Sequence, residues 1–192
     1  TGVFLAVYGQ IYQTGADSYE LFSGWALLIF AWVVISKLPA QWLLWLALLN
    51  TAFIFYSIQV ALPNDVFKFD MTFVLLALLN GAALLAREIA VGAGAQWLRL
   101  GWLRALLLAL VLANLVIPVC VLIVEGRFSG MGGTAAAILL PLVLMTVYLR
   151  CRVHEVDIRS LGVAAFAVCT VVLVASSAWP RPSVEPLFDS TR

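Results

Sequence analysis

The chain has 192 residues, of which 64% are hydrophobic and only 11% are charged, whereas soluble domains are about 45–50% apolar and about 25% charged. Eleven basic residues nearly balance ten acidic ones, so no strong electrostatic field attracts a nucleic acid or another highly charged partner. The composition therefore predicts an integral membrane protein rather than a soluble domain, a disordered chain, a nucleic-acid binder or a disulfide-rich scaffold.

Apolar runs close to the ~20 residues that span the hydrocarbon core of a bilayer recur along the chain. These runs do not alternate with the two-residue period of a membrane β-strand. We predict an all-α, polytopic transmembrane helical bundle with six full spans and one partial N-terminal helix. The partial helix is 1–13, and the spans are 18–36, 40–61, 67–86, 102–124, 134–149 and 161–179.

Two further segments lie outside these spans. Segment 87–101 sets tryptophan and leucine among arginines, which predicts an amphipathic helix at the membrane interface. The tail 180–192 contains three prolines and is predicted to be extended. The sequence begins with Thr1 inside an apolar run and lacks the features of a signal peptide. We therefore expect the chain to be a segment or a processed form of a longer protein.

Basic residues in short loops predict the orientation, because such loops stay on the cytoplasmic side. Alternate loops carry seven basic residues on one side of the predicted membrane and four on the other. The side with seven is predicted to be cytoplasmic, and the turn 14–17 and the C-terminal tail are predicted to lie outside. The seven residues are Lys37, Arg87, Arg99, Arg104, Arg150, Arg152 and Arg159.

Polar side chains concentrate at the turn between the partial helix and the first span. Gly15 suits the left-handed end of a helix, Asp17 suits the cap of the next one, and Glu20 stands at the capping-box position. We favour this structural role, because a helix N-terminus accounts for both acidic residues. The alternative is a polar mouth for a cation or a polar solute, formed by Gln10, Tyr12, Gln13, Asp17, Tyr19 and Glu20.

The same stretch, QIYQTGADSYELF followed two residues later by WALL, begins at residue 10. It resembles the signature of predicted bacterial integral membrane proteins that are classed as a domain of unknown function. The resemblance covers the first third of the chain, down to residues 43–56. It implies a multi-pass protein of the bacterial inner membrane with further segments upstream, and it supplies no catalytic residues.

Three asparagines, Asn50, Asn80 and Asn114, fall near the middle of predicted spans. An unpaired amide is costly in lipid, so each side chain is expected to face the bundle interior. We favour a role as interhelical hydrogen-bonding groups, worth roughly 0.6 kcal/mol per bond, over a polar transport site at the bilayer midplane. Pro118 frees the backbone carbonyl of Asn114, and we expect Asn50 and Asn80 to be the partners of the Asn114 amide.

No motif in the sequence indicates catalysis, a metal or a cofactor. Cys151, His154, Glu155 and Asp157 lie close together in the sequence. A structural zinc site needs four ligands at characteristic spacings, and these residues do not provide them. The mixed charges of this stretch favour a solvated loop instead. We predict a non-enzymatic scaffold or assembly component, in contact with lipid and with a second copy or another membrane protein. The alternative is a transporter or channel module that uses the asparagines, and an enzyme is the third possibility.

Overall fold

The computed structural model describes residues 2–4, 7, 17–125, 131–153 and 157–178, and six long helices account for most of them. Each of the six is long and apolar enough to cross a membrane. The described ranges contain no strand, so the prediction of an all-α polytopic bundle is confirmed. The helices are α1 (Ser18–Ser36), α2 (Pro39–Tyr56), α3 (Phe69–Gly92), α4 (Gly101–Glu125), α5 (Met131–Val153) and α6 (Ile158–Ala178).

Local residue chemistry sets several helix ends. Lys37 adopts the left-handed conformation at the end of α1, and Pro39 opens α2, where its fixed φ suits the first helical turn. A π-helical turn, Ser57–Ala61, continues α2. After α3, Gly94 takes a φ of +98° in the turn, a conformation that glycine adopts without steric cost.

Helices α1 and α2 form an N-terminal hairpin that is held largely by aromatic side chains. The rings of Phe22 and Phe55 stack with centroids 5.4 Å apart, and those of Phe30 and Trp45 lie 5.2 Å apart. The indole nitrogen of Trp45 also donates a 3.0 Å hydrogen bond to the carbonyl of Ala26. Near the other end of the hairpin, the Gln59 amide donates a 3.3 Å hydrogen bond to the Ser18 hydroxyl. The hairpin therefore joins its helices with ring contacts and a few hydrogen bonds.

Helices α3 to α6 form a second unit around α4. Helix α4 is the most apolar of the six and the most buried, and it packs against α3, α5 and α6. Its side chains from Leu108 to Val119 interdigitate with Val74 and Ala77 of α3, with Ala136 and Leu140 of α5, and with Ala167 of α6. A smaller cluster, Leu46, Leu98, Leu103 and Leu107, connects this bundle to α2.

One helix crossing in the bundle depends on a glycine. A Cβ atom at Gly132 of α5 would lie 2.5 Å from the backbone nitrogen of Met71 and 2.6 Å from the carbonyl carbon of Asp70. The next backbone N–H, that of Gly133, donates a 2.9 Å hydrogen bond to the Asp70 carboxylate. The N-termini of α3 and α5 are therefore in backbone contact, and Asp70 satisfies one free N–H of the first turn of α5.

The structure corrects the predicted interfacial helix at 87–101. Helix α3 continues to Gly92, where the sequence suggested an end at Ala86, and only a short 3₁₀ turn, Gln96–Leu98, follows. The prediction of an interfacial helix is wrong because the charged residues Arg87 and Glu88 do not end α3. Both are paired inside the protein, and α3 runs through them.

Other boundaries shift by fewer residues. Helix α5 spans Met131–Val153 where 134–149 was predicted, and α6 starts at Ile158 where 161 was predicted. Of the predicted N-terminal helix 1–13, residues 2–4 and 7 are helical, and a Cβ atom at Gly2 would lie 2.8 Å from the Trp25 ring. The predicted extended tail 180–192 lies outside the described residues.

Candidate functional site

Two of the three predicted asparagines meet across the seam between α2 and α3. The Asn80 amide donates to Asn50 Oδ1 at 2.7 Å, and the Asn50 amide donates to Asn80 Oδ1 at 3.2 Å. Each side chain also donates a 2.8 Å hydrogen bond to a carbonyl of its own helix, that of Leu46 or that of Leu76. Asn80 is fully buried. The reciprocal pair thus satisfies both amides without a ligand.

The third asparagine does not join this pair. The Asn114 amide donates a 2.8 Å hydrogen bond to the carbonyl of Leu110, one turn earlier on α4. Among the described residues, no hydrogen bond connects Asn114 with Asn50 or Asn80. The expected three-membered layer is therefore a pair and a separate residue. Depth alone could not distinguish these arrangements, because depth does not fix the rotation of a helix about its axis.

The predicted mouth is described only in part. Gln10, Tyr12 and Gln13 lie outside the described residues. The Tyr19 hydroxyl donates to the Glu20 carboxylate at 3.4 Å, and its ring packs edge-on against Tyr56.

Asp17 occupies the N-cap position of α1, and its backbone carbonyl accepts from the backbone N–H of Glu20 at 3.0 Å. Its side chain makes no capping hydrogen bond, and no capping box between Asp17 and Glu20 is present in the described part of the chain. The N-cap position was therefore predicted correctly, whereas the side-chain contact was not.

An ionic cluster that the sequence analysis missed closes the opposite end of the molecule, which we call the basic end. The Glu88 carboxylate on α3 accepts from Arg87 and from Arg150 at 2.5 Å each, and Arg104 lies 3.5 Å away. Arg104 also approaches Asp157 at 3.6 Å. Since these residues belong to α3, α4, α5 and the N-terminus of α6, the cluster ties four helices together.

Arg87 within this cluster also fixes the connector between α3 and α4. Only 8% of Arg87 is exposed, and its guanidinium donates to the carbonyls of Leu98 at 3.0 Å and Leu100 at 3.2 Å. A buried guanidinium needs several acceptors, and these carbonyls together with Glu88 supply them. The connector is thus held against the bundle.

Asp157 caps α6 in the way predicted for Asp17. Its carboxylate accepts from the Ser160 hydroxyl at 2.7 Å and from the Arg159 backbone N–H at 3.2 Å. Burial alone would raise the pKa of the Asp157 carboxyl, but the hydrogen bonds from Ser160 and the charge of Arg104 outweigh it, so this pKa lies below its usual value. The sequence signal was an acidic residue directly before an apolar run with a serine three residues later.

Several cavities lie between the described helices, and three of them border the polar groups or the interhelical contacts described above. An apolar groove of about 580 Å³ lies between α3, α4 and α5, a second cavity of about 820 Å³ borders Asp65 and Asp70, and a third of about 450 Å³ lies between α2, α3 and the connector. No asparagine lines any of these three cavities.

No family model, no curated protein and no solved structure matches the chain. The resemblance to bacterial membrane proteins of unknown function therefore stays a prediction.

Proposed function

We propose that the chain is a non-enzymatic scaffold or assembly component of a membrane. The observation that supports this role is the Asn50–Asn80 pair, whose amides are satisfied by each other and by carbonyls of their own helices. A transport site would instead require these amides to face a solute path. The same pair joins the hairpin to the bundle, so the polar groups at the midplane serve helix assembly.

The ionic cluster supports the same interpretation. An active site needs an acid or base that is free to exchange a proton with a substrate. Glu88, the carboxylate at the groove, is bound by three guanidinium groups. Its contacts are those of a link between helices, and they favour a structural role over catalysis.

The partner of such a scaffold is a membrane-embedded protein, either a second copy or another chain. Helix α1 packs chiefly on α2 and leaves large apolar side chains exposed, among them Leu27, Trp32 and Ile35. Crosslinking in the native membrane from a photoreactive residue at Trp32 should give one adduct of defined mass. A chain that stays entirely uncrosslinked and sediments as a monomer in mild detergent contradicts the scaffold proposal.

Thiol labelling separates a scaffold from a transporter. In a background without the three native cysteines, Leu46→Cys and Leu76→Cys place thiols one turn from the asparagine pair, at positions that are 5% and 4% exposed. A membrane-impermeant maleimide should leave both unlabelled in proteoliposomes, whereas Ala93→Cys in the exposed connector should react. Labelling at 46 and 76 would indicate a water-filled path and would favour the transporter.

The basic end supports a cytoplasmic location by the positive-inside rule. Arg87, Arg104 and Arg150 all lie there, as their shared contact with Glu88 requires. Impermeant maleimide added to intact bacterial cells should label Asn64→Cys, in the exposed turn before α3, and should label Ala93→Cys only after permeabilisation. The reverse pattern would invert the proposed orientation.

A further inference from the structure

The apolar groove between α3, α4 and α5 has the shape of a lipid-chain site. Small residues of α3, including Ala77, Gly81 and Ala82, line one wall, Leu108 and Leu115 of α4 form the floor, and α5 forms the other wall. Its volume of about 580 Å³ falls within the ~300–1,000 Å³ typical of small-molecule sites. Because the six helices span the membrane, the medium at the groove opening is lipid.

Two contacts between α3 and α5 indicate that these helices lie closer together at one end than at the other. At one end, Gly132 brings α5 within backbone contact of Asp70 and Met71. At the basic end, the two helices are bridged by the long side chains of Glu88 and Arg150. The gap therefore widens toward the basic end and is closed at its far end.

The length of the groove matches one leaflet. It runs along α3 from Ala77 to Glu88, which is ~16 Å at ~1.5 Å per residue. This is about half of the ~30 Å hydrocarbon core. The groove thus reaches from the midplane to the interface, the depth that one acyl chain of a phospholipid covers.

Positive charge is concentrated where the groove meets the interface. Arg104 and Arg150 line this end together with Glu88. Arg150 is 45% exposed and contacts Glu88 through one terminal nitrogen, so its guanidinium has further donors for a ligand. Arg152 and Arg159 are exposed nearby, and no carboxylate in the described part of the chain forms an ion pair with either.

We propose that this groove binds an anionic glycerophospholipid, with an acyl chain against Gly81 and the headgroup phosphate at Arg150 and Arg104. Guanidinium groups bind phosphate through charge-assisted hydrogen bonds, and basic pockets between transmembrane helices hold anionic headgroups. The occupant is a lipid rather than a helix of another protein, because a helix needs a channel about 10 Å wide along the full span. The groove lines α3 only from Ala77 to Glu88, and the backbone contact at Gly132 leaves no room for a helix between the other ends of α3 and α5. The site does not depend on the scaffold role.

The test uses the full chain in a neutral detergent, titrated with phosphatidylglycerol or phosphatidylcholine of identical acyl chains. Native mass spectrometry counts the bound lipid. Wild type should bind phosphatidylglycerol at least about fivefold more tightly than phosphatidylcholine, the difference expected from one nearby arginine. Equal binding of the two lipids would overturn the proposal, and so would complete displacement of the bound lipid by glycerol phosphate, which has no acyl chain.

Two pairs of variants distinguish the part of the groove that binds the acyl chain from the part that binds the headgroup. A Cβ at Gly81 has no atom within 4 Å, and neither has one at Gly162 on α6, so Gly81→Leu fills the groove and Gly162→Leu is its matched control. Thr146→Leu fills the same groove from α5 and guards against a folding defect of the first variant. Arg150→Gln removes headgroup charge, and Arg99→Gln removes the same charge from the exposed connector.

The expected results differ between the pairs. Gly81→Leu and Thr146→Leu should each lower the binding of both lipids by about fivefold or more, while Gly162→Leu should leave it unchanged. Arg150→Gln should remove most of the preference for phosphatidylglycerol, about fivefold, and Arg99→Gln should retain it. If the controls lose as much binding as the groove variants, or if no variant changes it, the proposed site is wrong.

Discussion

The N-terminal hairpin and the four-helix bundle use different means of holding helices together. Helix α1 buries only Ala26 and Val33, and its contacts with α2 are mainly aromatic. Helix α4 buries a stripe from Leu103 to Val119 and is surrounded by three helices. Because lipid removes the hydrophobic drive between helices, packing and polar contacts determine the strength of association. The bundle is therefore expected to be the stable unit, with the hairpin attached to it.

The largest effect is expected where the bundle has backbone contact. In Gly132→Ala, the added Cβ would overlap backbone atoms of Asp70 and Met71, which cannot rotate away. We expect a loss of about 3 kcal/mol in the free energy of unfolding, at the upper end for overpacking, measured by denaturation in mixed micelles. In Gly133→Ala, the nearest atom is the flexible Cδ1 of Leu122, so the cost should be clearly smaller. Equal costs would show that the α3–α5 contact tolerates separation.

The second-largest loss of stability is expected at the ionic cluster around Glu88. Glu88→Gln removes the carboxylate shared by Arg87, Arg104 and Arg150. Since Arg87 stays buried with fewer acceptors, we expect a loss of about 2 kcal/mol, together with faster proteolysis of the connector at 93–100. Glu20→Gln at the exposed start of α1 removes the same charge and should cost little. A stable Glu88→Gln protein with a protected connector would show that the cluster is not a structural link.

The sequence predicted the helices well because spanning segments follow from length and composition alone. It failed at residues whose role depends on a partner from another helix. Glu88 and Arg87 appeared to end a span, yet mutual pairing lets α3 pass through them. Asn114 shares the depth of Asn80 but faces another direction, and no periodicity signal in a leucine-rich helix fixes that rotation.

The third-largest loss of stability is expected where the α1–α2 hairpin contacts the four-helix bundle. Asn80→Leu leaves the Asn50 amide without its side-chain partner, and we expect a loss of about 1.5 kcal/mol, with a coupling to Asn50→Leu of about 0.6 kcal/mol in a double-mutant cycle. Asn114→Leu should cost less, because its amide donates only to Leu110 of its own helix. If the coupling energy between positions 50 and 80 is zero, the asparagine pair does not stabilise the contact between hairpin and bundle.

The smallest losses of stability are expected at the two aspartates that precede α1 and α6. Asp157 accepts from Ser160 and Arg159, whereas the Asp17 side chain makes no capping bond. Asp157→Ala should therefore cost about 1 kcal/mol, and Asp17→Ala only the dipole contribution of about 0.3 kcal/mol.

The pH dependence of the unfolding free energy tests whether the charge of Asp157 stabilises the start of α6. Its pKa is lowered in the folded protein, so its contribution is fully present above the unfolded value of about 3.9 and is lost as the pH falls through the lower folded value. The difference in unfolding free energy between wild type and Asp157→Asn should thus be larger at pH 7 than at pH 3. A difference for Asp157 that is constant over this range would mean that the hydrogen-bond geometry, which asparagine reproduces in part, determines the stability of the α6 N-terminus without its charge.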